Sequence, residues 1–198
     1  SGPHDPDFEL EDLSQRALVV ALQEFAVQSH LLLRGFCLAV THRSDGATAA
    51  AMAGRMAIGL GWTTSERLTR AFEFAPGTEG LAAMLQIHPM LWPRTYTHAS
   101  VSFDGHAVRV AIGTDAPFLA EGDDFCWLAT TAAGDPATLA AIAQGHDPRA
   151  RVSVAQPEAT ERCAFVVTID PDATATREPD EASLTKISTG ATFPLRRR

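Results

Sequence analysis

One stretch of the sequence decides the fold: Val101-Ser102-Phe103-Asp104-Gly105-His106-Ala107-Val108-Arg109-Val110-Ala111-Ile112. Apolar and polar residues alternate on both sides of Asp104-Gly105, which is the period of a strand with one buried face. An Asp-Gly pair between two alternating runs is the strongest short hairpin signal, because the tight turn needs residues that tolerate a positive φ. The stretch therefore predicts an antiparallel hairpin.

Downstream of this hairpin the sequence predicts a helix and a second antiparallel pair of strands. Asp135-Pro136 is a typical helix start, with Asp as N-cap and Pro at the first position, and Gly145 closes that helix. Its apolar face consists of Leu139, Ile142 and Ala143. The alternating residues of the strands are Val152, Val154, Phe165, Val167 and Ile169. Residues 118–131 fit either a helix or a loop.

Upstream of the hairpin the sequence is helical. Apolar periodicity and capping signals predict helices over residues 12–34, 47–60, 63–72 and 78–88, the first ended by Gly35 and the last stopped by Pro89. The apolar residues at helical spacing in the first helix are Leu18, Leu22, Phe25 and Leu32. The predicted class is α+β, with a helical N-terminal half packed on a twisted antiparallel sheet of about four strands.

The length of 198 residues fits one domain over residues 1–170, followed by an acidic linker and C-terminal arm over residues 171–198. The arm carries Leu184, Ile187, Phe193 and Leu195. These apolar residues predict that the arm docks either on its own domain or on a partner subunit, which would give a homodimer.

Charge and composition limit the classes of partner and the cellular location that we expect. A net charge of −8 argues against nucleic acid, because phosphate binding needs clustered Lys and Arg. The terminal Arg196-Arg197-Arg198 is typical of a solvated tail. No apolar run reaches the roughly 18 residues that cross a bilayer, and Ser1-Gly2-Pro3-His4 lacks the features of a signal peptide. Three cysteines, an odd number far apart, predict free thiols and a cytoplasmic location.

Several standard motifs are absent from the sequence. It has no Gly-x-Gly-x-x-Gly, no phosphate-binding Gly-Lys-Ser/Thr loop, no Gly-x-Ser-x-Gly, no His-Glu-x-x-His and no Cys-x-x-Cys. We therefore expect no cofactor. A zinc ion could be held by Cys126, Cys163, His98 or His146, but their spacing gives no support for such a site, so no metal is expected either.

Cys126 is the candidate nucleophile. It precedes Trp127 and follows Glu121, Asp123 and Asp124, whose carboxylates would raise the pKa of the thiol unless they point away. The alternative is a buried structural cysteine, since free Cys is among the most buried residue types. The same structural role is predicted for Cys37 and Cys163, which lie in apolar runs.

His98 and His88 are the candidate groups for proton transfer. His98 precedes the hairpin, and His88 ends a predicted helix. His146-Asp147 is a further pair, although adjacent side chains often diverge. Each histidine could equally be a surface or capping residue. A substrate pocket is predicted where the helices meet the sheet, lined by Met84, Trp92, Tyr96, Phe118 and Trp127. The alternative for most of these is ordinary core.

A family resemblance adds to these observations. The residues that carry it are Phe125-Cys126-Trp127, Gly134, Gly145-His146-Asp147-Pro148 and Glu161-Arg162-Cys163-Ala164-Phe165. They resemble the C-terminal half of the L-2-amino-thiazoline-4-carboxylic acid hydrolase-like family and are similar to 4-vinyl-reductase-like ligand-binding domains. The preceding Gly59-Leu60-Gly61-Trp62 and the helix to His88-Pro89 resemble the hydrolase-like group in order and length, so the resemblance spans residues 10–170.

The resemblance implies an α/β body that binds a small organic molecule between helices and sheet. In the first group it implies hydrolytic opening of a thiazoline ring, and in the second the binding of apolar ligands, in some members with zinc. This chain has Arg149, Arg151 and Val152 where further zinc ligands would be expected. The first hypothesis is thus a hydrolase-like enzyme acting on a small heterocyclic or amide-like substrate. The alternatives are a non-catalytic binding or sensor module and a structural partner.

Overall fold

A computed structural model of the protein describes Asp7, residues 9–121 and residues 127–186. Its helices are α1 (Gln15–Arg43), α2 (Gly46–Phe72), α3 (Thr78–Ile87), α4 (Arg94–Thr97), α5 (Trp127–Ala132), α6 (Ala137–His146) and α7 (Asp180–Thr185). Its strands are β1 (Ala99–Phe103), β2 (Val108–Gly113), β3 (Ala150–Ala155) and β4 (Glu161–Ile169). Short 3-10 helices cover Leu10–Asp12, Pro89–Leu91 and Pro117–Glu121. The predicted α+β class is confirmed.

The four strands form one antiparallel sheet in the order β1-β2-β4-β3. The hairpin predicted around Asp104-Gly105 is confirmed. Its turn is held by the Asp104 carboxylate, which accepts hydrogen bonds from the backbone N–H groups of His106 (2.9 Å) and Ala107 (2.8 Å), while Gly105 adopts a φ of 98°. The second strand pair is also confirmed, and β2 joins it to the hairpin by pairing with β4.

The core lies between the sheet and the helices α3 and α6. The predicted inward residues of α3 and α6 are all buried: Leu81, Met84, Leu85, Leu139, Ile142 and Ala143. They belong to the same cluster as Phe165 and Val167 of β4. Each large side chain buried in this way contributes about 1.5–3 kcal/mol relative to its exposed form. Sheet and helices thus form a single apolar interior.

The prediction of two helices over residues 47–60 and 63–72 is wrong, because both stretches belong to the single helix α2 (Gly46–Phe72). Gly59 and Gly61 lie inside it, and they serve close packing rather than a break. A Cβ at Gly61 would lie 2.8 Å from Cγ1 of Ile142 in α6, and a Cβ at Gly59 would overlap the backbone of Glu181 in α7. Asp45 is the N-cap of α2, and its carboxylate accepts a 2.7 Å hydrogen bond from the N–H of Thr48.

Helix α1 continues past Gly35, so the predicted end at that residue is wrong. A glycine inside a helix costs only about 1 kcal/mol relative to alanine, and packing beyond it offsets that cost. Cys37 and Val40 supply the packing, because they contact Ala49 and Ala53 of α2. Cys37 is therefore the core thiol that its apolar run predicts.

The C-terminal segment returns to the body at α7. Ala182 of α7 is fully buried, and Arg55 of α2 donates a 3.2 Å hydrogen bond to the carboxylate of Glu181. Before α7, the chain lies beside β3, where the Arg151 guanidinium donates a 2.6 Å hydrogen bond to the carbonyl of Thr174. The apolar arm residues Ile187, Phe193 and Leu195 lie outside the described residues.

Candidate functional site

A buried histidine, His30 of α1, is the centre of an aromatic cluster. Its Nε2 lies 2.7 Å from the backbone carbonyl oxygen of Trp92. A carbonyl oxygen can only accept, so Nε2 carries a proton and donates it. One hydrogen bond between residues 62 positions apart thereby fixes the orientation of the imidazole.

Three aromatic rings from three other elements complete this cluster. The indole of Trp127, at the start of α5, is stacked on His30 with 6.2 Å between ring centroids and 22° between planes. Tyr96 of α4 lies 5.4 Å from His30, and Phe118 lies 6.3 Å from Tyr96. We call His30, Tyr96, Phe118 and Trp127 the aromatic cluster. The geometry is that of tilted and offset ring pairs, which are favourable for aromatic side chains.

The structure brings three of the five predicted pocket residues together in this cluster: Tyr96, Phe118 and Trp127. Met84 is fully buried in the core cluster that also contains Phe118 and Trp127. Trp92 contributes its backbone carbonyl, because its indole N–H donates to the carbonyl of Gln86 at 2.6 Å and its ring lies 5.9 Å from the guanidinium carbon of Arg94.

His30 is absent from the residues predicted from the sequence. It lies among apolar residues of α1 and away from any recognised motif. The available signal was its spacing: His30 is four residues after Ala26 and seven before Cys37, so all three share one helix face, and all three are buried. A polar residue on such a face has to find a partner, as His30 does.

His98 forms a polar pair with Asp115 beside the aromatic cluster. Its Nδ1 lies 2.8 Å from Oδ1 of Asp115, and the hydrogen bond from His98 holds the pKa of the Asp115 carboxyl below its usual range. The pair and the cluster share their supporting elements, since His98 follows Tyr96 by two residues and Asp115 precedes Phe118 by three. An imidazole oriented by a carboxylate is suited to general acid–base work.

His88, the other predicted proton-transfer residue, is fully buried. Its Nδ1 accepts a 3.3 Å hydrogen bond from the N–H of Met90, so it caps the 3-10 turn Pro89–Leu91. Burial lowers the pKa of His88 to about 3. The backbone of Gly61 partly opposes this shift, yet within the described residues Nε2 has no hydrogen-bond partner of normal geometry. The ring is neutral at physiological pH, which suits a turn cap better than a proton donor.

The adjacent pair His146-Asp147 diverges. Nδ1 of His146 lies 2.8 Å from the hydroxyl of Thr69, and burial lowers the pKa of His146. Asp147 is instead paired with the guanidinium of Arg149 at 2.8 Å, and this pairing lowers the pKa of the Asp147 carboxyl. The two side chains therefore stabilise the end of α6 through separate partners.

Two of the three cysteines, Cys37 and Cys163, lie in the described part of the chain, and both are buried. Cys163 is buried on β4, and burial raises the pKa of its thiol, as expected for a structural cysteine. Cys126, the predicted nucleophile, lies outside the described residues, so its role stays a prediction. Within the part of the chain that the structure describes, no three His, Cys, Asp or Glu side chains are grouped to hold a metal ion.

Among residues 9–121 and 127–186, no helix combines the length and the hydropathy that crossing a bilayer requires. No family model, curated protein or solved structure matches this chain.

Proposed function

We propose that the protein binds a small, partly apolar heterocyclic or aromatic molecule at the aromatic cluster. The observation that carries the proposal is that four elements build one aromatic cluster. Tyr96 and Trp127 pack against the imidazole of His30, which the carbonyl of Trp92 orients, and Phe118 packs against Tyr96. A planar ligand gains stacking contacts from such rings.

Ligand-induced stabilisation tests the proposal, with indole as the probe. Indole at about ten times its Kd would stabilise the fold by about 1.4 kcal/mol, or about 3–6 °C in Tm for a chain of this size. Tyr96→Ala should remove most of this shift. Phe103→Ala, on an exposed position of β1, is the matched control and should keep it. An equal shift in both variants, or no shift in the unaltered protein, would contradict binding at the cluster.

Hydrolysis is the second candidate function, and the His98–Asp115 pair favours it. Cys126 immediately precedes Trp127 of the aromatic cluster, and His98 follows Tyr96 of the same cluster by two residues. The candidate nucleophile and the oriented imidazole are therefore each close in sequence to a residue of the aromatic cluster. Thiazoline opening, which the family resemblance implies, fits these groups. In this reaction the Cys126 thiol adds to ring carbon C2 and the C2–S bond of the ring breaks, so the ring sulfur leaves as a thiol that takes up the proton from Cys126. Water then adds to the same carbon, which becomes a carbonyl. Cys126 leaves with one proton of the water, and the other goes to the imine nitrogen.

The thiol product makes this reaction measurable. With 2-aminothiazoline-4-carboxylate as substrate, a chromogenic thiol reagent should report turnover, and His98→Gln should reduce kcat on the order of 10²-fold, a typical loss for a general acid–base residue. Cys126→Ser should abolish turnover. His106→Gln, at an exposed turn position of the same hairpin, is the control. Unchanged turnover in His98→Gln and Cys126→Ser would remove both assignments and leave the binding function.

The remaining expectations about partners and location belong to the same proposal. A cytoplasmic protein with free thiols is consistent with buried, unbridged Cys37 and Cys163. The proposed homodimer through the C-terminal arm would rely on residues 187–198, since Ala182 of α7 already packs on its own domain.

A further inference from the structure

Helix α1 carries two parallel apolar stripes, and its own chain covers one of them. The covered stripe consists of Ala26, His30, Leu33, Cys37 and Val40, which are buried or half-buried. The second stripe consists of Leu18, Leu22, Phe25, Ser29, Leu32 and Phe36, and we call it the outer stripe. Both have alternating spacings of four and three residues, which is the heptad pattern of a helix that packs along its length against another helix.

The outer stripe is exposed in the described structure except at Leu18, which is half-buried. Leu22, Phe25, Leu32 and Phe36 are 66%, 66%, 76% and 43% exposed. Together they present roughly 500 Å² of apolar side-chain surface, which is near the upper end for the largest patch on a monomeric protein. An isolated exposed leucine needs no explanation, but four large side chains in one row on a 29-residue helix do.

Ser29 is compatible with burial of this stripe. Its hydroxyl donates a 2.9 Å hydrogen bond to the carbonyl of Phe25 in the same helix, so covering it leaves no donor without an acceptor. No charged residue lies in the stripe, and the positions flanking it on one side are Ala21, Gln28 and Gly35. Two of these three are small, which permits a second helix to approach closely.

We propose that the outer stripe of α1 is the interface of a homodimer, in which it packs antiparallel against the outer stripe of a second copy. A two-fold axis near residue 27 sets Phe25 against Ser29 of the other copy, Leu22 against Leu32, and Leu18 against Phe36. Large side chains then meet small or complementary ones, as an isologous interface requires. The roughly 500 Å² of the four large side chains is the greater part of the area that each partner buries in a standard interface, about 800 Å².

Electrostatics favours a second copy over a lipid surface. Helices that lie on membranes are rich in Lys and Arg on their polar face, to attract anionic lipid. Helix α1 contains no lysine, and its three arginines, Arg16, Arg34 and Arg43, are far apart along its 29 residues rather than clustered. The chain carries a net charge of −8. A patch without charges on its seam loses little when it meets an identical patch, whereas an acidic protein is repelled by an anionic bilayer.

Light scattering after size exclusion tests the proposal on the full chain. The unaltered protein should elute with twice the 21.1 kDa mass of one chain. Phe25→Glu with Leu32→Glu should give the single-chain mass, with the far-UV circular dichroism of the unaltered protein. Val154→Glu, on an exposed position of β3, is the matched control and should stay dimeric. A monomeric unaltered chain, or a double variant that stays dimeric, would overturn the inference.

Cross-linking tests the orientation. In chains that carry Cys126→Ser, Leu22→Cys mixed with Leu32→Cys should form an intermolecular disulfide on oxidation, because these positions face each other in the antiparallel pair. Each variant alone should cross-link poorly. A disulfide that forms as readily in Leu22→Cys alone would mean that the helices run parallel, and it would overturn the arrangement proposed here.

Discussion

Helix α1 and strand β4 each present large apolar side chains in a regular row, but the two rows have opposite environments. Phe165 and Val167 of β4 are fully buried, whereas Phe25 and Leu32 of α1 are two-thirds or more exposed. The difference arises from what lies across each row. Strand β4 is central in the sheet and α3 and α6 cover it, whereas α1 meets its own chain along the neighbouring covered stripe and not along the outer one. A periodic row therefore predicts a contact surface without saying which molecule provides the other side.

The largest expected effect comes from removing a phenyl ring in each region. Phe165→Ala should lower the free energy of unfolding by about 3–5 kcal/mol, because it leaves a cavity in close-packed surroundings. Phe25→Ala should change it by no more than about 0.5 kcal/mol in protein dilute enough to be monomeric, since most of that ring is already in water. Urea titration of both variants measures the difference.

A second pair of variants covers the case in which Phe165→Ala fails to fold. Leu85→Ala, in the same buried cluster, should cost about 2–5 kcal/mol, and Leu32→Ala in α1 should stay within about 0.5 kcal/mol. Similar losses at the α1 and core positions would show that α1 is already covered within one chain. That result would remove the contrast between the two regions.

The elements that were predicted correctly are those with local signals. The hairpin follows from Asp104-Gly105 and its flanking alternation, and α3 follows from its apolar spacing and the Pro89 stop. The wrong helix end at Gly35 and the wrong boundary between residues 60 and 63 have related causes. Cys37 and Val40 pack on α2 beyond Gly35, and Ile142 packs against Gly61 from 81 positions along the chain. His30 was not predicted as part of the aromatic cluster for a similar reason, because its hydrogen bond to the carbonyl of Trp92 joins residues 62 positions apart.

Alanine substitutions of two glycines test the same contrast through smaller changes in the free energy of unfolding. A Cβ at Gly145 of α6 would overlap the carbonyl oxygen of Trp62, so Gly145→Ala must separate α6 from α2 and should cost about 1–3 kcal/mol. Gly35 of α1 has nothing within 4 Å of the same added atom, so Gly35→Ala should stabilise the helix by about 0.5–1 kcal/mol. Opposite signs in thermal unfolding are the expected result. A lower stability of Gly35→Ala would mean that another part of the protein packs against α1 at Gly35.

A pH dependence of stability, comparable in size to the glycine effects, arises from the core. His88 is neutral in the folded protein because burial lowers its pKa to about 3, whereas in the unfolded chain it titrates near the ordinary 6.5. Between these values the unfolded chain binds the extra proton. The stabilisation is therefore complete above pH 6.5 and is lost as the pH falls, by roughly 1–2 kcal/mol between pH 6.5 and 5.

His88→Gln should remove this part of the pH dependence, so its unfolding free energy should fall less steeply than that of the unaltered protein over the same interval. Because a buried amide also changes the baseline, the slope with pH is the quantity to compare. His42→Gln, at the exposed end of α1, controls for the substitution itself, and its stability at pH 7 should stay within about 0.5 kcal/mol of the unaltered protein. Equal slopes in His88→Gln and the unaltered protein would mean that His88 reaches water and takes up its proton in the folded state. The core around α3 would then be as open as the outer side of α1, and the contrast between the two regions would fail at its most buried polar group.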